Sequence, residues 1–422
     1  MRRTRVPNAK ARDSKRTDRQ APLKLTPALV LKAGKERSLI RRHPWVYASA
    51  VAQVRGKPQS GDTVAIVSHE DRFLAWASYS ASSSIRGRAW TYQIDQPVTA
   101  ALVHARIAAA VARRAPLQAR SNALRLVFGE ADQLPGLIID RYADQLVIQF
   151  LAAGAEHWRD EIIRAALAVT GCVNLYERSD AQVREREGLP IREGGLHGIV
   201  PPAPIHVIED GVHYAVDVIS GHKTGFYIDQ RDNRARVARQ AAGRRVLNCF
   251  CYTGGFTLAA LAGGASAAVS IDSSEPALLQ AKANQQLNPT LRDLNSERSQ
   301  WRMGNVFEQL KAMAAGNEKF DLIVLDPPKF APSASHLDRA TRAYKEINMK
   351  ALKLLAPGGL LFTFSCSGVM SVDLFQKVVA GAIVDARVDA QLIERLHAGV
   401  DHPVLMTHPE GEYLKGLLLQ VV

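Results

Sequence analysis

At 422 residues the chain exceeds the roughly 100 to 200 residues of one ordinary domain, so two or three units are expected. Hydrophobic residues at 47% and charged residues at 23% are the proportions of a globular protein, which excludes wholesale disorder and fibrous architectures. Lys plus Arg outnumber Asp plus Glu by 54 to 41, and the resulting +13 favours a polyanionic partner, nucleic acid before an anionic membrane.

Residues 1 to 20 contain eight Lys/Arg and two Asp, with almost nothing apolar to bury. A tail of this kind, extending to residue 22, is expected to be disordered in isolation, either as a solvated extension or as an electrostatic arm on phosphates. From residue 23 to 97, short β-type runs alternate with turns and predict a small β-barrel-like module. Its arginines Arg41, Arg42, Arg86 and Arg88, read as exposed, lie near His43, Trp45 and Tyr47. That mixture suits backbone charge contact and base stacking, although strand aromatics as often pack into cores.

Residues 98 to 114 are Ala-rich with apolar positions three and four apart, which predicts a helix. Strands and a hairpin follow in LRLVFG, GLIIDRY and QLVIQFL, then a helix near 156 to 169 and the strand CVNLYER. This second α+β unit, 98 to 204, is expected to end in a linker, REGGLHGIVPPAPI. From 205 to 422 apolar strands alternate with helices, closing on a terminal β-pair, and this pattern predicts a doubly wound α/β sheet covered on both faces. Ligands of such sheets bind beyond the carboxyl ends of the strands.

The chemistry-bearing residues gather at those ends. The first βα turn, Asn248 to Phe256, contains Gly254 and Gly255 but not G-x-G-x-x-G, which disfavours a dinucleotide cofactor. Asp272 closes the second strand, where a carboxylate can accept from both ribose hydroxyls of an adenosine. Asn305 follows the next strand, with an amide suited to an adenine edge. The fourth strand ends in Asp326-Pro327-Pro328-Lys329-Phe330, whose prolines stop the strand and stiffen the loop. The fifth ends in Ser365-Cys366-Ser367-Gly368. A lone strand cysteine is usually a core residue, but at a polar strand terminus beside another it is a candidate nucleophile.

The four cysteines form neither a zinc set nor a disulfide framework, so no metal is expected and a reducing, cytoplasmic location fits. No apolar run approaches the ~18 residues that span a bilayer, so no membrane partner is expected.

Asn-x-Phe-x-x-x-Gly-Gly, Asp272, the Asp-Pro-Pro-Lys-Phe loop and Ser-Cys-Ser-Gly together resemble the ribosomal RNA large subunit methyltransferase I family, from about Leu23 to the end. Further matching stretches are Gly129 to Asp132 with Leu134-Pro135-Gly136, Lys223 to Arg231, and His408 to Gly411. Asn305 stands where that family has Asp, and Ala75 where it has Gly.

The resemblance implies a PUA RNA-binding domain, a linking α+β domain and a class I methyltransferase domain that makes 5-methylcytosine in 23S rRNA from S-adenosylmethionine. It implies Cys366 as the nucleophile that adds to carbon 6 of cytosine and Asp326 as the group that stabilises the charge built up. The cofactor's walls would be Phe226, Gln230, Asn248, Phe250, Tyr252, Gly254, Asp272, Ser273 and Asn305. Lys329 occupies the place where a different family of RNA cytosine methyltransferases has a second cysteine, implying a one-cysteine mechanism with Lys329 as a solvated charge or an RNA contact. Two rivals stand beside this reading: a base-nitrogen methyltransferase, for example at guanine N7, which needs no nucleophile, and a non-catalytic RNA-binding or ribosome-assembly protein. The oligomeric state, a homodimer included, and the choice between naked rRNA and an assembly intermediate are left open.

Overall fold

The computed structural model describes residues 25–201, 204–295 and 297–422; the basic tail lies outside them. Six strands build the first sheet: β1 (Ala28–Leu31), β2 (Trp45–Tyr47), β3 (Val51–Arg55), β4 (Thr63–Val67), β5 (Phe73–Tyr79) and β6 (Ile85–Thr91). Their order is β2-β6-β5-β4-β1-β3, with β1 parallel to β4 and every other pair antiparallel. Leu29, Leu31, Val64 and Ile66 pack on one face, while Ala28, Val30, Ala65 and Val67 pack on the other. Burial on both faces is why β1 and β4 read as unbroken apolar runs.

The helix Ala100–Arg114 starts at Thr99, whose hydroxyl accepts from the Leu102 amide, and leads into a second sheet. That sheet holds β7 (Ala123–Phe128), β8 (Leu137–Tyr142), β9 (Gln145–Phe150), β10 (Asn174–Ser179) and β11 (Arg192–His197), in the order β11-β10-β9-β8-β7. Helix Arg159–Thr170 provides the crossover between parallel β9 and β10 and stops at Gly171, which has φ +67°. Val103, Ile107 and Ile162 from the two helices pack on Leu124, Ile139 and Ile148.

The expected linker is a linker only in part. Its first six residues are β11, which pairs antiparallel with β10, because the edge of β10 supplies a ladder that local composition does not reveal. The strands β12 (Ile205–Glu209) and β13 (Val212–Val216) form a hairpin missing from the sequence-based element list. Its turn is Asp210-Gly211, with φ +46° and +83°, and Asp-Gly between apolar runs is the local signal that could have revealed it.

The last sheet contains β14 (Arg245–Cys249), β15 (Ala267–Asp272), β16 (Ser299–Met303), β17 (Phe320–Leu325), β18 (Leu355–Ser365), β19 (Ala390–His397) and β20 (Lys415–Val421). The order is β16-β15-β14-β17-β18-β20-β19, parallel except for the pairs made by β20. Consecutive residues go to opposite cores: Val246, Leu322 and Phe362 to one, Leu247, Ile323 and Leu361 to the other. The chain leaves β14 towards β15 on one side and returns to β17 on the other, so the crevice for a ligand opens at the carboxyl ends of β14 and β17.

Candidate active site

The loop after β14 is bent by backbone conformations that most residues avoid. Phe250 and Tyr252 have φ +60° and +48°, and Gly254 has φ +86°. Left-handed non-glycine residues store strain and persist only where their surroundings hold them. Here the Tyr252 amide donates to Asp272 Oδ2 at 2.8 Å, and the Cys251 amide donates to the Ile271 carbonyl at 3.0 Å. The Tyr252 hydroxyl accepts from the His222 amide at 3.0 Å, with the two rings stacked 4.6 Å apart. Gly254 is required twice over, since a Cβ there would also lie 2.7 Å from the Trp301 ring.

Asp272 is held at both oxygens, because Oδ1 accepts from the Ser274 amide at 2.9 Å. Each oxygen keeps a lone pair for a diol. Phe226, Gln230, Phe250 and Tyr252 line the same cavity as Asp272 and Ser273, a space of 530 Å³ within the usual range for small-molecule sites. Gly254 lies beneath it, between lining residues Thr253 and Gly255. Asn248 is buried behind the turn, donating to Thr257 Oγ1 at 2.8 Å, with its Oδ1 unpartnered.

Asn305 is exposed and is not among the side chains that line this cavity. Its Oδ1 accepts from the Phe307 amide at 2.9 Å, so the residue caps helix Val306–Ala315.

Asp326, Lys329 and Cys366 line this same cavity. Asp326 and Cys366 follow the neighbouring parallel strands β17 and β18, and the sheet itself brings the two loops together. The serines around Cys366 anchor its loop: Ser365 donates to the Tyr344 hydroxyl at 2.9 Å, and Ser367 Oγ accepts from the Ala331 amide at 3.2 Å. Buried Lys415 donates to the carbonyls of Ser367 and Met370 at 3.0 and 2.7 Å. The thiol is only partly buried.

The acid in this cavity that the sequence analysis missed is Asp229. It is buried and accepts from Lys223 Nζ and the Tyr413 hydroxyl, while its Oδ1 has no partner. Burial and then the Asp229 charge push Asp326 up to about 7, against the opposing charge of Lys223. Burial and then Asp326 push the Cys366 thiol up to about 11, with Lys223 again opposing. Asp229 lay within a stretch that the family resemblance had marked, but nothing local sets it apart from a helix-preceding acid.

The arginines separate. Arg41 and Arg42 are exposed; Arg86 is half-buried and donates to the Ser80 carbonyl at 2.9 Å. Arg88, read as exposed, is buried and pairs with Glu187 at 2.8 Å and with Glu130 at 3.7 Å. Both acids belong to the second unit, so Arg88 joins two domains and is removed from the set of RNA contacts. No group of three metal-ligating side chains occurs among the described residues.

Residues 198–415 match the S-adenosylmethionine-dependent methyltransferase family model, and residues 29–92 match a PUA-like domain. Ribosomal RNA large subunit methyltransferase I of Klebsiella pneumoniae is 46% identical over 400 residues, covering 94% of this chain and 99% of that one. The protein of the same name from Shewanella denitrificans is 48% identical over 395 residues, covering 93% and 98%. Among solved structures, an S-adenosylmethionine-dependent methyltransferase of Streptococcus mutans superposes with a TM-score of 0.79 at 23% identity, covering 93% of this chain and all of that one, which shows a shared fold. S-adenosylmethionine is the cofactor of this chain, which belongs to the ribosomal RNA large subunit methyltransferase I family.

Proposed function

We propose that the protein methylates carbon 5 of a cytosine in 23S rRNA, with Cys366 as nucleophile and Asp326 as its partner. Residues 23–97 serve as the PUA-like RNA-binding domain, 98–204 as the linking domain and 205–422 as the catalytic domain. The observation that carries this reading is the placement of an accessible thiol and a carboxyl near pKa 7 in one cavity with the cofactor turn.

Bound against Asp272 and the Phe250–Gly254 turn, S-adenosylmethionine supplies an electrophilic methyl group. Carbon 5 of cytosine is a weak nucleophile until carbon 6 is attacked. The proton that leaves Cys366 can pass to the Asp326 carboxylate; the thiol has the higher pKa, so this thiolate and carboxylic acid pair is the minor one-proton form, which addition to carbon 6 draws off. The thiolate then adds to carbon 6 while protonated Asp326 donates towards N3, so negative charge does not accumulate on the ring. Carbon 5 takes the methyl group, its proton passes to solvent water, and the electron pair left behind expels the thiolate from carbon 6 while the N3 proton returns to Asp326. A nitrogen acceptor already owns a lone pair and needs none of this. Two readouts test the proposal: bisulfite sequencing of 23S rRNA from cells with and without the gene, and mass spectrometry of the modified nucleoside. A methyl group on a ring nitrogen would overturn it.

A further inference from the structure

A second cavity, of 340 Å³, opens where the three units meet. One wall comes from the first unit. The Arg42 guanidinium lies 4.6 Å from the centre of the Tyr92 ring, and the Tyr92 hydroxyl donates back to the Arg42 carbonyl at 2.9 Å. Arg42 has φ +65°, a strained conformation for a residue with a side chain. The result is a flat surface, cationic and aromatic, held in place before any ligand arrives. The amides of Gln93 and Gln96 stand at its edge.

Arg106, from the helix of the linking unit, also lines the cavity. Its Nη1 donates to the Gln133 carbonyl at 2.7 Å, and it has no carboxylate partner among the described residues. Burial without a counter-charge pushes it down to about 10. The one acid on the cavity's wall, Glu130, is taken by Trp45 Nε1 at 2.8 Å and by Arg88. A guanidinium desolvated in this way is set to receive an anion, and its planar fork fits phosphate.

The third wall, Leu405 and Thr407, belongs to the segment that also carries Tyr413 and Leu414 into the active-site cavity. Five residues separate Thr407 from Tyr413, six steps that span at most about 22 Å, so both cavities lie within reach of one short RNA segment.

We propose that this cavity is a nucleotide subsite: it takes one unstacked nucleotide of a single-stranded RNA segment, with the base on the Arg42–Tyr92 wall and a phosphate on Arg106. Stacking platforms combined with cationic grooves are how single strands are held. The inference rests on the RNA reading above, but not on which atom is methylated.

The test is fluorescence anisotropy of the full chain with a labelled single-stranded RNA oligomer, titrated at several salt concentrations. Tyr92→Ala should weaken binding by about 5- to 150-fold, the range for one lost base stack. Arg106→Gln should lower the salt slope by about 0.7 per lost phosphate contact in a single strand. Both variants should bind S-adenosylmethionine as the parent does, which reports that they fold, and Gln93→Ala at an exposed position gives a third variant. Wild-type RNA affinity and slope in all three would overturn the subsite and leave the methylation proposal standing. Absence of RNA binding by the parent itself would overturn both.

Discussion

Gln230 donates from Nε2 to Asp326 Oδ2 over 3.0 Å, and both side chains are drawn into the active-site cavity from elements almost a hundred residues apart. The amide supports the charged form of Asp326, yet burial and Asp229 outweigh it and leave the carboxyl near 7 instead of its ordinary 3.8. The folded state therefore holds this proton more tightly than the unfolded chain between those two values. Asp326 withdraws stability as pH rises through that window. Asp326→Asn should raise the melting temperature at pH 8 and change it little at pH 4, measured by calorimetry.

With Asp326 and Cys366 in the roles proposed for them, their two ionisations set the pH dependence of catalysis. If the active form has protonated Asp326 and ionised Cys366, it carries one proton between about 7 and 11, and kcat/KM should rise tenfold per unit below about 7 and then level off. In Asp326→Asn the level region should vanish, with lower activity that climbs steadily towards a thiol value below 11, because the carboxylate that raised it is gone. A wild-type profile still climbing above 8 would show that Asp326 works as a carboxylate.

Cys366→Ala should abolish methyl transfer and leave S-adenosylmethionine affinity unchanged, since replacing the thiol with a methyl group leaves Asp272 and the turn after β14 intact. RNA carrying 5-fluorocytidine at the target should remain covalently attached to the parent, because fluorine cannot leave carbon 5 as a proton does. Denaturing gels should show no such adduct with the variant. Full activity of Cys366→Ala would remove carbon 5 as the acceptor.

Asp272→Ala should weaken S-adenosylmethionine binding by roughly 2 to 4 kcal/mol through the loss of charge-assisted hydrogen bonds. The loss reaches beyond the ligand, because Asp272 also restrains the left-handed Tyr252. Asp272→Asn, which keeps one oxygen, should fall between the two in titration calorimetry.

Arg88→Ala should lower folding stability by about 3 to 5 kcal/mol, since it leaves the buried Glu187 without its counter-charge and with only the Ala153 amide as a donor. Chemical denaturation reads this directly. RNA affinity of the folded variant should stay within twofold of the parent, in contrast to Tyr92→Ala.

Much of the catalytic architecture was legible because its signals are local. Apolar runs alternating with helical periods defined the doubly wound sheet, and strand termini defined where Asp272, Asp326 and Cys366 would stand. A parallel sheet then had to bring the last two together, since neighbouring strands end on the same edge. What needed tertiary structure was the fate of charge. Arg88 looks like any strand arginine until Glu187, ninety-nine residues away, is packed against it. Asn305 reads as a ligand residue, and only the packed chain shows that its oxygen caps the helix that follows. Asp229 draws its chemistry from Tyr413, far along the chain, as well as from nearby Lys223, and Arg106 from having no carboxylate partner among the described residues. Periodicity records which residues leave water, but the free energy of a buried charge depends on what stands beside it, and only the packed chain decides that.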